Sequence, residues 1–204
     1  MSGHFIAFEG GEGSGKSTQA RRLAERLGGR ALLTFEPGDS TLGAEVRRLL
    51  LDSPDLDITD RAEALLMAAD RAQHVVEVIQ PALETGRTVI TDRFAGSSVA
   101  YQGYGRQLDA PEVEQLSRWA TDGLWPDLVV LLEVSPVDAE RRLARAKDRV
   151  ESAGDAFHGR VHDGFLVQAM ADPDRWAIVD GSASEDEVAA AIWDIVSIRF
   201  PDLS

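Results

Sequence analysis

Five short runs of apolar, largely β-branched or aromatic residues punctuate the chain, at Phe5–Phe8, Ala31–Thr34, Thr88–Thr91, Leu128–Leu132 and Trp176–Val179. They read as continuous apolar runs rather than as alternation of apolar and polar positions, so each predicts a strand covered on both faces. Longer stretches of helical period separate them, and this regular β–α alternation predicts an α/β fold: a five-stranded parallel sheet with helices on both faces. Helices are expected over Thr18–Leu27, from Thr41 or Leu42 through Arg47-Arg48, over an unusually long stretch from about Thr59 to Glu84, from Ser135-Pro136 onward, and over Glu185–Phe200. Thr59-Asp60-Arg61-Ala62-Glu63 gives the long one a capped start, Pro81 tightens its last part and Gly86 closes it. Ligands of such sheets collect at the carboxyl ends of the strands. That rim would carry Glu9, Glu36, Asp92 and Glu133.

The first strand and the first helix enclose Gly10-Gly11-Glu12-Gly13-Ser14-Gly15-Lys16-Ser17, the spacing G-x-x-x-x-G-K-[ST] of a P-loop. Glycines let the backbone adopt positive φ and turn its N–H groups inward as a nest for a polyphosphate. Lys16 adds a charge that reaches the β- and γ-phosphates, Ser17 offers a hydroxyl to Mg²⁺, and the helix from Thr18 points its positive end at the same anion. The chain holds only two lysines, and one stands at the motif's obligatory position.

Composition narrows the chemistry. With 204 residues, 44% of them hydrophobic, the chain suits a single domain spanning 1–204. A net charge of −14 argues against nucleic acid as a partner, while a small anion in a local basic pocket stays allowed. The absence of cysteine removes disulfides, thiolate catalysis and cysteine zinc sites. No basic leader with an apolar run behind it and no long apolar stretch is present, so a cytoplasmic protein without a membrane partner is expected.

Three further stretches carry candidate chemistry. Asp92-Arg93 ends the third strand, as a Walker B acid for the metal beside an arginine for phosphate, or as a plain strand-end ion pair. The small, hydroxyl and amide residues from Ala95 to Arg106 suit a helix start packed on a flat ligand, or ordinary packing. Arg141 to Arg149 holds five basic residues in nine, either a solvated helix face or a mobile flap that brings arginines to transferring phosphates. The His158/His162 pair, four residues apart, fits a surface helix rather than a metal site.

Together these pieces closely resemble the thymidylate kinases, a branch of the P-loop nucleoside monophosphate kinases, in their bacterial form. The resemblance covers nearly the whole chain: the P-loop with Glu9 before it, Glu36-Pro37-Gly38, Ala69-Asp70-Arg71-Ala72-Gln73-His74, Asp92-Arg93-Phe94 with Ser98 and Tyr101-Gln102-Gly103, and Asp148-Arg149-Val150-Glu151. It implies a short lid at about 142–155, a homodimer, and Mg²⁺-dependent transfer of the γ-phosphoryl group of ATP to dTMP, giving dTDP and ADP for dTTP synthesis. ATP would lie on residues Gly10 to Thr18, and Mg²⁺ on Ser17 with Glu9 and Asp92, directly or through water. Glu36, Pro37 and Met67 would line the acceptor site, with Arg47 and Arg93 on its phosphate, Arg71, Gln102 and Ser98 on the thymine edge, and Tyr101 against the deoxyribose. Glu12 would sit near the sugar, and Arg145 and Arg149 of the lid would supply the charge that the P-loop itself lacks. Two positions depart from the family pattern: Phe35 stands where an arginine is common, and Met67 where a phenylalanine often stacks on the base. The rivals are a kinase of another nucleotide or nucleoside and a silent nucleotide switch; an acceptor panel and ADP formation with and without dTMP separate them.

Overall fold

A computed structural model of the chain describes residues 3–53, 56–142 and 153–204. Its centre is a five-stranded, all-parallel sheet in the order β2-β3-β1-β4-β5, made of β1 (Phe5–Glu9), β2 (Ala31–Phe35), β3 (Thr88–Asp92), β4 (Leu128–Glu133) and β5 (Trp176–Asp180). Each strand runs one residue past its apolar stretch, so four of the five end in an acid at the carboxyl rim. Register aligns that rim: Phe8 pairs with Asp92 on one side and Val130 on the other, and Phe35 with Asp92.

The unbroken apolar runs have the expected reason. Ile6 and Phe8 turn to one face, where Leu23, Leu27, Ile192 and Val196 cover them, while Phe5 and Ala7 turn to the other, under Val75, Ile79 and Phe94. Both faces are therefore dry, which satisfies the period-two geometry of a strand with apolar side chains at every position.

Helices α1 (Lys16–Leu27) and α9 (Glu185–Arg199) lie on the first face. On the second side come α2 (Thr41–Leu51) and the long element, α3 (Asp60–His74) continued by a π-helical turn at Val75–Ile79 and by α4 (Gln80–Glu84). Thr59 caps α3 through Ala62 N–H as expected, but the helix widens just ahead of Pro81. A proline has no N–H to give and its ring crowds the carbonyl one turn back, so a wider turn relieves both problems. After β3, α5 (Ala95–Ser98) runs into a second π-helical stretch, Val99–Gly105, followed by α6 (Ala110–Ala120), α7 (Pro136–Arg142) and α8 (Asp155–Ala171). Most of the expected lid, with Arg145 and Arg149, lies outside the described residues. Among the described residues no helix is long and apolar enough to cross a membrane.

Candidate active site

The loop between β1 and α1 takes the shape its glycines permit. Gly10, Gly13 and Gly15 hold φ values of 140°, 70° and 95°, and a Cβ on Gly10 would sit 2.5 Å from the Leu132 carbonyl oxygen. Gly15, in the left-handed conformation, precedes α1, and no side chain caps the first-turn amides. Uncapped amides at a helix start form an anion site.

Lys16 opens α1 and is nearly closed to solvent. Its Nζ lies back across the loop, donating to Gly11 O at 2.6 Å and to Ser14 Oγ at 3.3 Å. Burial, with the repulsion of Arg93 added, pushes its ammonium down to about 8, against the pull of Glu12, Asp92 and Glu9. One residue on, Ser17 Oγ donates to Asp92 Oδ2 at the end of β3, while Asp92 Oδ1 is buried and has no hydrogen-bond partner. Two hard oxygen ligands thus stand side by side, one of them unsatisfied, and that donor set fits Mg²⁺.

Glu9, expected at the metal, turns toward the start of α5 in this structure. Its Oε1 accepts Phe94 N–H at 3.0 Å and Ser97 N–H at 2.9 Å, and its Oε2 accepts Ser97 Oγ–H at 2.6 Å. Both oxygens are spent on the start of α5. Burial outweighs these bonds and the nearby Arg93, raising the Glu9 carboxyl to about 7.

Arg93 has a positive φ of 72°, and that unusual backbone turns its side chain back under the P-loop. There it pairs with Glu12 and donates to Gly10 O at 3.2 Å, Ser97 Oγ at 2.8 Å and Tyr101 Oη at 3.1 Å. Burial alone would lower this guanidinium, yet Glu12, Tyr101 and Asp92 together hold it above its ordinary range. Tyr101 Oη donates to Glu12 Oε1 at 3.1 Å, and burial pushes the phenol upward.

A second group of buried polar residues faces this one. Arg71 on α3 is 2% exposed and spends four of its five N–H groups: Nε donates to Glu36 Oε2 at 2.9 Å, Nη1 to Ser117 Oγ at 3.1 Å, and Nη2 to Ser98 Oγ at 3.0 Å and Phe94 O at 3.2 Å. The other Glu36 oxygen meets His74 Nδ1 at 2.9 Å, and His74 Nε2 lies 2.5 Å from Thr34 Oγ1. Asp70 Oδ1 accepts Gly38 N–H at 3.0 Å, and burial beside Glu36 raises the Asp70 carboxyl to about 6. Glu36 and Pro37 are joined by a cis peptide bond. Arg47 is exposed, donates to Pro37 O at 2.8 Å, and carries its guanidinium carbon 5.7 Å from the Phe35 ring centre.

The two groups line one cavity of about 440 Å³. Glu12, Lys16, Ser17, Asp92 and Arg93 approach from the phosphate loop, and Glu36, Pro37, Arg47, Met67, Arg71, Ser98, Tyr101 and Gln102 from the other side. Phe35 joins them, together with Arg21, Leu33, Thr34, Leu51 and Ser97, which sequence periodicity does not single out. Glu63, His74 and Arg106 support the cavity wall through Gln102 and Glu36, a role that the motifs containing them do not assign. A signal exists for the first two: Glu63, Met67, Asp70, Arg71 and His74 fall at helical spacing on the buried side of α3. A charged stripe where an apolar one belongs marks a built site.

A family model described as thymidylate kinase matches residues 8–192. The chain is 50% identical over 198 residues to a thymidylate kinase of Bifidobacterium longum, covering 94% of this chain and 96% of the relative. It is 51% identical over 195 residues to one of Cutibacterium acnes, with 94% and 95% covered. A crystal structure of thymidylate kinase from Ehrlichia chaffeensis superposes with a TM-score of 0.80 at 32% identity, covering 97% of this chain and 99% of that one.

Proposed function

We propose that this chain, which belongs to the thymidylate kinase family, uses the shared cavity to set ATP and dTMP end to end. The enzyme phosphorylates dTMP to dTDP with ATP. Phosphoryl transfer asks little covalent chemistry of a protein, so the work is alignment and charge.

The triphosphate lies over residues 10–17, on the amides of the nest and of α1. Lys16 exchanges its Gly11 and Ser14 partners for the β- and γ-phosphates, which restores the charge that burial weakens. Ser17 and Asp92 would hold Mg²⁺, whose charge would offset that of the transferring group. Arg93 exchanges Glu12 for the acceptor phosphate, joined by Arg47 from the far wall. Arg71 and Gln102 read the thymine edge with Ser98 beside them, Met67 lies against the ring, and Tyr101 closes on the deoxyribose. Arg145 and Arg149 complete the charge from the lid. The enzyme acts as a cytoplasmic homodimer; Leu65 and Val76, 58% and 64% exposed and about three helical turns apart, give a second copy an apolar stripe to cover.

One observation supports this most strongly: the phosphate loop, the metal-suited pair Ser17 and Asp92, and the polar floor around Arg71 open into a single cavity. ADP release measured with dTMP, dUMP, dCMP, dAMP and dGMP as acceptors tests it. Release that does not depend on dTMP would reject the assignment of the acceptor site.

A further inference from the structure

A primary amide is two-sided, one corner donating and the other accepting, and half a turn about its last bond exchanges them. A base reader built on such a group needs that turn fixed. Gln102 is 1% exposed, lines the cavity, and leaves its Oε1 without a hydrogen-bond partner. Its Nε2 donates to Glu63 Oε1 at 2.9 Å.

Glu63 is itself fully buried on α3 and accepts from Arg106 Nε at 3.2 Å and Nη2 at 3.0 Å. A carboxylate forked by a guanidinium accepts and does not donate. The amide nitrogen of Gln102 must therefore face Glu63, which leaves the amide oxygen for the cavity. Arg106 is anchored in turn, its guanidinium carbon 4.8 Å from the centre of the Phe157 ring on α8. Orientation of one amide is thus tied to α3, to the second π-helical stretch and to α8.

We infer that Glu63 is a specificity-determining positioning residue: through Gln102 it presents the amide oxygen, an acceptor, toward N3 of the incoming base. This rests on the assignment of the cavity to dTMP. Thymine and uracil carry a donor at N3, whereas cytosine carries a bare lone pair there. The fixed Oε1 pairs with the first and opposes the second, and buried polar groups left unpaired are what make a site reject the wrong base.

Glu63→Gln tests it, because a glutamine at 63 can give its oxygen to Arg106 and its NH₂ to Gln102, turning the donor corner of Gln102 to the base. Initial rates with dTMP and dCMP should show the ratio of their kcat/KM values falling about 100-fold or more, with KM for ATP within about twofold of the parent. Glu63→Asp, still an acceptor alone, should hold that ratio within about threefold even where both rates drop. An unchanged ratio in Glu63→Gln, or an equal fall in Glu63→Asp, overturns the proposal. The parent protein supplies a readout independent of any variant: N3-methyl-dTMP, which lacks the donor, should bind at least about 30-fold more weakly than dTMP by calorimetry, and equal affinity also overturns it. Failure of the dTMP assignment itself looks different, since the parent protein would then turn over no dTMP.

Discussion

Arg71 and Glu36 stand 35 residues apart in sequence and meet at 2.9 Å with their side chains only 2% and 3% exposed. Glu36 also engages His74, so one carboxylate at the end of β2 locks two turns of α3 and fixes the floor of the acceptor site. Removing one partner of a buried pair strands the other charge without water or counter-ion. Glu36→Ala should therefore cost about 3–5 kcal/mol in urea denaturation. Arg71→Ala should in addition raise KM for dTMP far more than KM for ATP. An equal rise in both constants would take Arg71 out of base reading.

Lys16 is held at about 8 by burial, next to the repulsion of Arg93. In the free enzyme its charge fades as pH rises through that value, while bound triphosphate supports the charge. kcat/KM for ATP, which reports the free enzyme, should fall above about pH 8, and kcat should stay level to higher pH. Lys16→Ala should lower turnover by about 100-fold or more at pH 7, with the thermal midpoint nearly kept. A variant keeping a tenth of parental activity would remove Lys16 from the phosphates.

The strands and the P-loop are legible because each is local chemistry, an apolar run or a glycine spacing, whereas the acceptor residues come from the family resemblance. Glu9 is not legible, because the spacing cannot say which way a carboxylate at a strand end turns. The two N–H groups at Phe94 and Ser97 that claim it lie at the start of α5, more than eighty residues away. The support from Glu63 and His74 is hidden for a related reason. Their meaning depends on which face of α3 is buried, and helical period alone would assign that face to apolar side chains. The widened turns at Val75–Ile79 and Val99–Gly105 add residues within helices, which no periodicity window resolves.

Glu9 carries its own signature in stability. Burial lifts its carboxyl from the ordinary glutamate value of 4.5 to about 7. Between those values the folded chain keeps a proton that the unfolded chain releases, so this group's contribution is complete below pH 4.5 and is lost as pH rises through 7. The loss amounts to about 3 kcal/mol at most. Glu9→Gln can still accept from the Phe94 and Ser97 amides through its oxygen. Urea midpoints at about pH 5 and about pH 7.5 should therefore lie closer together in Glu9→Gln than in the parent, and the same separation in both would show that Glu9 does not titrate in this window.

Asp92 offers the sharpest separation of metal binding from folding. Oδ2 already accepts from Ser17, whereas Oδ1 is buried with nothing to satisfy it, an expensive arrangement unless a cation completes it. Asn in this position keeps the volume and can still accept from Ser17, but it sets an NH₂ donor where the unsatisfied oxygen stood. The strand pairing of β3 with β1 and β2 does not involve this side chain, so the thermal midpoint of Asp92→Asn should match or exceed that of the parent. Its half-maximal Mg²⁺ concentration, read from initial rates at fixed ATP and dTMP, should rise at least about tenfold, and turnover at saturating metal should fall about 100-fold. Chelation should silence the parent enzyme and leave its thermal midpoint where it was. A parental magnesium curve in Asp92→Asn would place the metal on other oxygens, those of the nucleotide foremost, and leave Asp92 as a partner of Ser17 alone.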